Sequence, residues 1–306
     1  MFTEKVNGNK YRLSCALVTR NRPESLRRTL VSLFKQTPPP FEVIVSDDSD
    51  TQFVAANMSA VQEYGYKYVR GPHKGLYANR NFAFLQCSGD HFRSMDDDHE
   101  FPEGHLSACY AAIERDPHCI WFIGESYPDE TGLTPTFCPG QLNISGVSET
   151  PKDPDDCWAI ADGASIYPRS VFESGHFFSE EFKFGASYLE FGSYIRYQGY
   201  RMRFLPETFI IHHYDPANRS FNELDMELSS RAFAMLCHSF LYRPSWRSKA
   251  WTSAKTLQYL TMMKRPLSSA KSIYKAIRWR LKSIPRLKNE PFQPGAKRLP
   301  TLHGDP

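Results

Sequence analysis

Three adjacent carboxylates, Asp96, Asp97 and Asp98, stand in the segment MDDDHEF at residues 95–101. Like charges packed this closely repel unless a cation neutralises them. Hard oxygen donors suit Mg²⁺ or Mn²⁺, ions that keep several waters and bind phosphate oxygens; a solvated acidic turn is the plainer alternative. A second acidic run, SDDSD (46–50), offers Asp47 and Asp48 as acceptors for a ribose or a base, although Asp and Ser are also ordinary turn residues. His212 and His213 end the run FIIHH, where a neutral imidazole could be a metal ligand or a structural group. In GPHKGLYANRN (71–81), His73, Lys74 and Arg80 lie in a glycine-marked loop entering a helix, a setting that suits a diphosphate or else a solvated helix face. Glu190 is the only carboxylate between Phe184 and Gly199. Among Tyr, Leu and Phe its pKa should rise and it could act as a general base, the alternative being a surface helix residue.

The elements that must hold these groups alternate along the chain. Residues 11–19 read as a buried strand, followed by a helix that opens at Pro23 and carries Leu26, Leu30, Leu33 and Phe34 at helical spacing. Strands are predicted at 41–46, 66–70, 91–95 and 119–124, and helices at 76–87 and 102–115. This alternation predicts a doubly wound, mainly parallel α/β sheet with helices on both faces. Two of its strands end in the acidic clusters, where such sheets bind ligands. The Pro-, Gly-, Asp- and Ser-rich stretch 127–157 is expected to be a long loop bordering the site. A second α/β part spans about 159–213, the pattern is helical beyond 221, and 284–306 is Pro-rich and expected to be loose.

With 306 residues, 41% hydrophobic and 14% aromatic, the chain can bury a substantial core, which excludes global disorder. No apolar run is long enough to span a bilayer, and the N-terminal segment is polar without an apolar signal core. Seven widely spaced cysteines without a CxxC pair point to reduced thiols and a cytoplasmic setting. From residue 241 on, 15 Lys/Arg stand against two carboxylates, Glu290 and Asp305, whereas the preceding part has 22 against 32. That split suggests a folded body with a basic appendage that meets an anionic surface. No DNA- or RNA-binding motif accompanies the charge, so nucleic acid is not an expected partner.

In order, these pieces resemble the family-2 glycosyltransferases, an inverting group with the GT-A fold. VTRNRPESLRRTLVSLFKQT (18–37) and VIVSDDSD (43–50) are similar to the first strand, first helix and nucleotide-binding acidic strand end of that family. GLYANRNFAFLQCSGDHFRSMDDDHEF (75–101) resembles its Arg-Asn helix leading to the D-x-D motif, and GYRMRFLPETFIIHH (199–213) its closing Gly-Tyr, Pro and His signature. The likeness covers about 11–214. It implies a GT-A domain over 1–220, with a nucleotide-binding half at 11–125 and an acceptor half at 126–220. A helical basic extension at 221–284 and a loose tail at 285–306 follow.

By position, the resemblance implies that Thr19, Asn21 and Asp48 line a nucleoside pocket, with Asp47 beside them. Arg80 reaches the base or diphosphate. Asp96 and Asp97 face the ribose and diphosphate side. A Mn²⁺ or Mg²⁺ ion is held by Asp98 with Asp96 and His212. The family's acidic pair in the last core helix falls on Ser187 and Tyr188. Either the base role passes to Glu190 two residues on, or a shift of about one turn restores it, or the homologue is inactive; Asp162 is the reserve base. The implied reaction moves a sugar from a nucleoside-diphosphate donor, UDP by default, to a saccharide or lipid-linked acceptor in cell-surface glycan or glycolipid synthesis. The two rival readings are an inactive binding module and a sugar nucleotidylyltransferase. The second would need a Gly-rich triphosphate loop that VTRNRPES lacks. In residues 269–284, Lys271, Lys275, Arg278 and Lys282 form one stripe, and Ile273, Ile277, Leu281 and Ile284 gather opposite. Such a helix could lie with its apolar side in the inner face of the plasma membrane, or pack that side on the body.

Overall fold

The computed structural model describes residues 10–214 and 223–284. The expected tail at 285–306 and the boundary near 220 lie outside these residues. In chain order the elements are β1 (Leu13–Thr19), α1 (Pro23–Phe34), β2 (Glu42–Asp47), α2 (Thr51–Glu63), β3 (Lys67–Arg70), α3 (Leu76–Gln86), β4 (His91–Asp96), β5 (His99–Glu100), α4 (His105–Arg115) and β6 (Ile120–Ser126). Two small ribbons follow, β7 (Pro128–Asp129) with β8 (Gly132–Leu133), and β9 (Gln141–Leu142) with β10 (Ser148–Glu149). They lie within the stretch expected to be a loop. Then come β11 (Ser165–Pro168), α5 (Ser170–Glu173), α6 (Ser187–Tyr197), β12 (Met202–His212), α7 (Leu224–Cys237), α8 (Trp246–Met262) and α9 (Pro266–Ser283).

Eight strands form one sheet in the order β3-β2-β1-β4-β11-β6-β12-β5. The pairs among β3, β2, β1 and β4 are parallel, as is β6 with β12; β11 and β5 run antiparallel to their neighbours. The chain leaves β1 for β2 on one side and later returns to β4 on the other. That reversal opens a crevice at the carboxyl ends of β1, β2 and β4, the usual ligand position in open α/β sheets. Register puts Thr19 beside Asp47 and Val18 beside Asp96 along this edge.

Alternation along β1 supplies both cores, because successive strand side chains point to opposite faces. Leu13, Cys15 and Leu17 pack with Leu26, Leu30 and Leu33 of α1 and Ile113 of α4. Ala16 and Val18 face Tyr77 and Phe84 of α3, Phe191 of α6 and Phe233 of α7. Ile273 and Ala276 of α9 belong to this second core, with Ile277 and Ile284 packed against it. The side of α9 that carries Ile273, Ile277 and Ile284 is therefore turned to the body, whereas Leu281 is exposed. All seven cysteines are free thiols.

Candidate active site

A cleft of about 340 Å³ opens at the carboxyl edge of the sheet. Its walls include Thr19, Arg20 and Arg22 after β1, Asp48 after β2, Asp96 and Asp98 at β4, Glu125 of β6, Asp162 before β11, Tyr188 of α6 and His212 of β12. Tyr127, Phe137, Pro139 and Ser148 from the 127–157 segment close one side. That volume lies within the ordinary range for small-molecule sites.

The three carboxylates of MDDDHEF diverge. Asp96 accepts from Arg80 Nη2 at 2.8 Å. Asp97 is fully buried, accepts from Thr19 Oγ1 at 2.6 Å and forms a very short ion pair with Arg22. Asp98 accepts from Arg22 Nη1 at 2.9 Å and lies 3.6 Å from His212 Nε2 and 3.7 Å from His99 Nε2. Burial pushes Asp97 up to about 7 against the pull of Arg22, with Asp98 adding to the rise. Burial would also raise Asp98, but His212, His99 and Arg22 together hold it well below the usual carboxylate range.

His212 bridges two acids, donating from Nδ1 to Glu125 Oε2 at 2.8 Å. Burial alone would depress its pKa, yet Asp98 and Glu125 outweigh that and raise it to about 10. His99 is the opposite case: burial lowers it to about 4, so its ring is neutral, and its Nδ1 is buried without a hydrogen-bond partner. One donor atom from each of Asp98, His99 and His212 lies within 4.8 Å of the others. One carboxylate with two imidazoles is a donor set that fits Mn²⁺ better than Mg²⁺, since Mg²⁺ prefers oxygen alone.

A third unit lies beneath. Arg80 is fully buried and pairs with Asp96 and, at 3.4 Å, with Asp162 Oδ2. The 162–164 turn is fastened from below: Ser94 Oγ donates to the Asp162 carbonyl at 2.6 Å, and Arg93 donates to that of Gly163 at 3.1 Å. A Cβ on Gly163 would sit 2.1 Å from Asp96 Oδ2, so a larger residue here would have to push the Asp96 carboxylate aside. Burial, with Asp96 and Glu125 nearby and Arg80 opposing, raises the Asp162 carboxyl to about 6.

Residues 14–175, more than half of the chain, match the family described as Glycosyl transferase family 2. The chain belongs to that family. Among solved structures it is similar to GalNAc-T7 in its crystal structure with UDP, GalNAc and Mn²⁺ (18% identity, TM-score 0.58, covering 80% of this chain and 55% of that one). It is also similar to S. aureus TarS 1-349 in complex with UDP (17%, TM-score 0.55, 90% and 81%) and with UDP-GlcNAc (18%, TM-score 0.55, 90% and 82%). At these identities the likeness is one of fold, the GT-A fold. The chain spans little more than half of the GalNAc-T7 chain. No curated protein matches it.

In this member of Glycosyl transferase family 2, Thr19, Asp48, Asp96, Asp98 and His212 meet in the cleft, and Asp97 lies just beneath its wall. Other expectations change. Asp47 is turned away, its oxygens taken by Ser49 N–H, Asn57 and the Tyr68 hydroxyl. Asn21 is absent from the cleft wall; with φ +58° it exchanges two side-chain hydrogen bonds with Asp50 and so ties together the loops after β1 and β2. Arg80 does not reach into the cleft but fixes two of its carboxylates from below. His99 replaces Asp96 beside Asp98 and His212. His213 pairs with Glu100 instead, at 2.8 Å. His73 and Lys74 lie outside the cleft wall, although the His73 N–H donates to Asp48 Oδ1 at 2.9 Å.

The largest correction is Glu190. It is fully buried and bidentate to Arg280 of α9, at 2.7 Å to each oxygen, with a very short bond from the Tyr242 hydroxyl. It does not line the cleft. Sequence reading missed Arg22, His99 and Glu125. A signal for Arg22 was present, since an arginine beside a Pro-opened helix faces the same strand edge as the acids. Glu125 gave none.

Proposed function

We propose that this glycosyltransferase moves a sugar from a nucleoside-diphosphate sugar, with uridine as the base, to an acceptor hydroxyl with inversion at the anomeric carbon. One observation carries the reading: Asp48, Asp96, Asp98, His212 and Asp162 converge on one cleft at the switch point of the sheet. The UDP-GlcNAc bound by TarS and the UDP and Mn²⁺ bound by GalNAc-T7 support the donor and the ion. Asp48, beside Thr19, is placed to accept from the nucleoside. Asp98, His99 and His212 would hold Mn²⁺ or, less suitably, Mg²⁺, and a bound divalent ion supplies charge to stabilise a departing diphosphate. Arg22, the cation already beside Asp98, can contribute to the same stabilisation.

Asp162 takes the base role. Ser187 and Tyr188 occupy the two positions where the family resemblance implies acids. Burial keeps the Tyr188 phenol above its ordinary pKa, hence neutral. A carboxyl near 6 is largely ionised at pH 7 and basic enough to accept a proton. Its carboxylate takes the proton of the acceptor hydroxyl as that oxygen attacks the anomeric carbon. The bond to the diphosphate breaks, and the nucleoside diphosphate leaves with the electron pair. Tyr127, Phe137 and Tyr188 on the rim offer ring faces to a saccharide or lipid-linked saccharide, as cell-surface glycan or glycolipid synthesis would require.

Thermal-shift titration with UDP and UDP-sugars, with and without Mn²⁺, tests donor and ion together, because ligand binding raises apparent stability. Asp98→Ala should lose the ion-dependent part. Stabilisation without release of UDP to any acceptor or to water would favour a binding module that has lost catalysis.

A further inference from the structure

Residues 241–284 contain eleven Lys/Arg and no Asp or Glu. In the fold this segment builds α8 and α9, which both pack on α7. The inward side of α9 is accounted for by Ser269, Ile273, Ala276 and Arg280. The outward sides are not polar. On α8, Trp246 is 75% exposed and Leu257 65%, and Trp251 and Met262 are also exposed. At about 100° per residue, Trp246, Ala250, Ala254 and Leu257 share one side, with Trp251 and Met262 on its flank. On α9, Leu267, Tyr274 and Leu281 recur every seven residues and all three are exposed, Leu267 by 88%. Lys271 with Arg278, and Lys275 with Lys282, keep the same spacing along the adjoining edge.

Some of these cations are used locally: Arg243 pairs with Asp156, Arg265 with Glu223, and Lys275 lies 3.9 Å from Glu181. Among the described residues Arg247, Lys264, Lys271, Arg278 and Lys282 form no salt bridge. With Trp279 of α9, eight large apolar side chains are exposed on two consecutive helices; these are more than scattered surface hydrophobics, and patches of this kind mark interaction sites. Three of them are tryptophans, which favour the boundary between water and hydrocarbon.

We propose that the outer faces of α8 and α9, with the Met262–Leu267 corner between them, dock the enzyme on an anionic lipid surface. Trp246, Trp251, Leu257 and Leu267 enter the headgroup boundary, and Lys264, Lys271, Arg278 and Lys282 meet lipid phosphates. No helix among the described residues is long and apolar enough to cross a membrane, so the contact is peripheral. A second copy of the chain fits less well. A twofold contact sets the same patch against itself, and this one would oppose cations with no acid in the segment to offset them. The surface differs from the one the sequence suggested: Ile273, Ile277 and Ile284 are spent on the core, and the lipid-facing residues come from the opposite side of α9 and from α8. The cytoplasmic leaflet of the plasma membrane carries the required negative charge.

Co-sedimentation of the full chain with vesicles decides the matter. Vesicles containing phosphatidylglycerol should pellet the protein and shift its tryptophan emission to the blue, phosphatidylcholine alone should do neither, and raised salt should release much of it. The triple variant Lys271→Ser, Arg278→Ser, Lys282→Ser should bind on the order of a hundredfold more weakly, since each cation near such a surface contributes about a factor of five. The pair Trp246→Ser, Leu257→Ser should bind more weakly and lose much of the emission shift, Trp251 keeping the rest. Both variants should keep the parental melting temperature, because none of these residues is in the core. Equal binding to neutral and anionic vesicles would overturn the proposal. So would unchanged binding in both variants, a dimer in gel filtration abolished by the Trp246–Leu257 pair without vesicle binding in the parent, or binding to an RNA or DNA duplex in place of vesicles.

Discussion

Arg22 holds the place beside Asp97 and Asp98 that a divalent ion would have to contest. Its guanidinium is largely buried, and both acids use it as counter-ion. Removing one member of a buried pair leaves the remaining charge uncompensated, which costs on the order of 3 kcal/mol. Arg22→Gln should therefore melt earlier than the parent in a chelator, and Mn²⁺ should restore more stability to it than to the parent. Equal Mn²⁺ shifts in the two proteins would mean that arginine and ion do not compete. Asp162 gives a second measurement at this scale. Asp162→Asn should lose about 10²–10⁴ in turnover while keeping its affinity for UDP. A base must be deprotonated to work, so the parental rate should rise with pH through about 6 and then level. The residual rate of the variant should lack that rise. An identical profile in both would remove Asp162 from the chemistry.

At the scale of elements, the link between α6 and α9 gives Glu190 a partner that its own helix does not reveal. A lone carboxylate in an apolar helix has the composition of a general base, and its partner Arg280 lies ninety residues further on. No local pattern connects the two. Replacing either alone should destabilise the fold by about 3–5 kcal/mol, whereas replacing both with apolar residues of similar size removes the desolvation cost with the attraction. Glu190→Met and Arg280→Met, combined in a double-mutant cycle followed by urea unfolding, should thus lose far less together than the sum of the singles. Turnover of Glu190→Gln per folded molecule should stay near parental; a loss of several hundredfold without loss of stability would return Glu190 to the reaction. Strands such as LSCALVT and EVIVSD were legible because they are continuous buried runs. The helix α2 was not, since TQFVAANMSAVQE buries only Asn57, Ala60 and Val61 and shows a weak apolar stripe. The strand β12 was seen only at its end, because Pro206 interrupts the pattern and the register with β6 shifts between Leu205 and Phe209. The acidic strand ends were legible as a site because composition and position agree there. Which carboxylate faces which cation was not, because Arg22, Arg80 and His212 come from distant elements.

For the molecule as a whole, the basic C-terminal helices look like an appendage by charge but are part of the body by packing. Phe233, Tyr259, Ile273 and Ala276 share one core with Ala16 and Val18 of β1. The carboxylate of Asp225 on α7 accepts the N–H groups of Lys264 and Arg265 at 2.8 Å each, fixing the corner where α8 turns into α9. A chain ending at residue 265 would therefore do more than shed a lipid anchor. It would open the seat of Ile273 and Ala276 and strand the buried Glu190 carboxylate without Arg280. Burying an unpaired charge and leaving apolar core open each cost several kcal/mol, together comparable with the whole stability of a typical domain. That truncation should express poorly or show a broad, early thermal transition, and Glu190→Met should recover part of the loss by removing the stranded charge. Circular dichroism melts of the truncated chain with and without Glu190→Met are the measurement. A truncated chain that melts cooperatively at the parental temperature would mean that α9 is a true appendage and that the Glu190–Arg280 pair holds nothing in place.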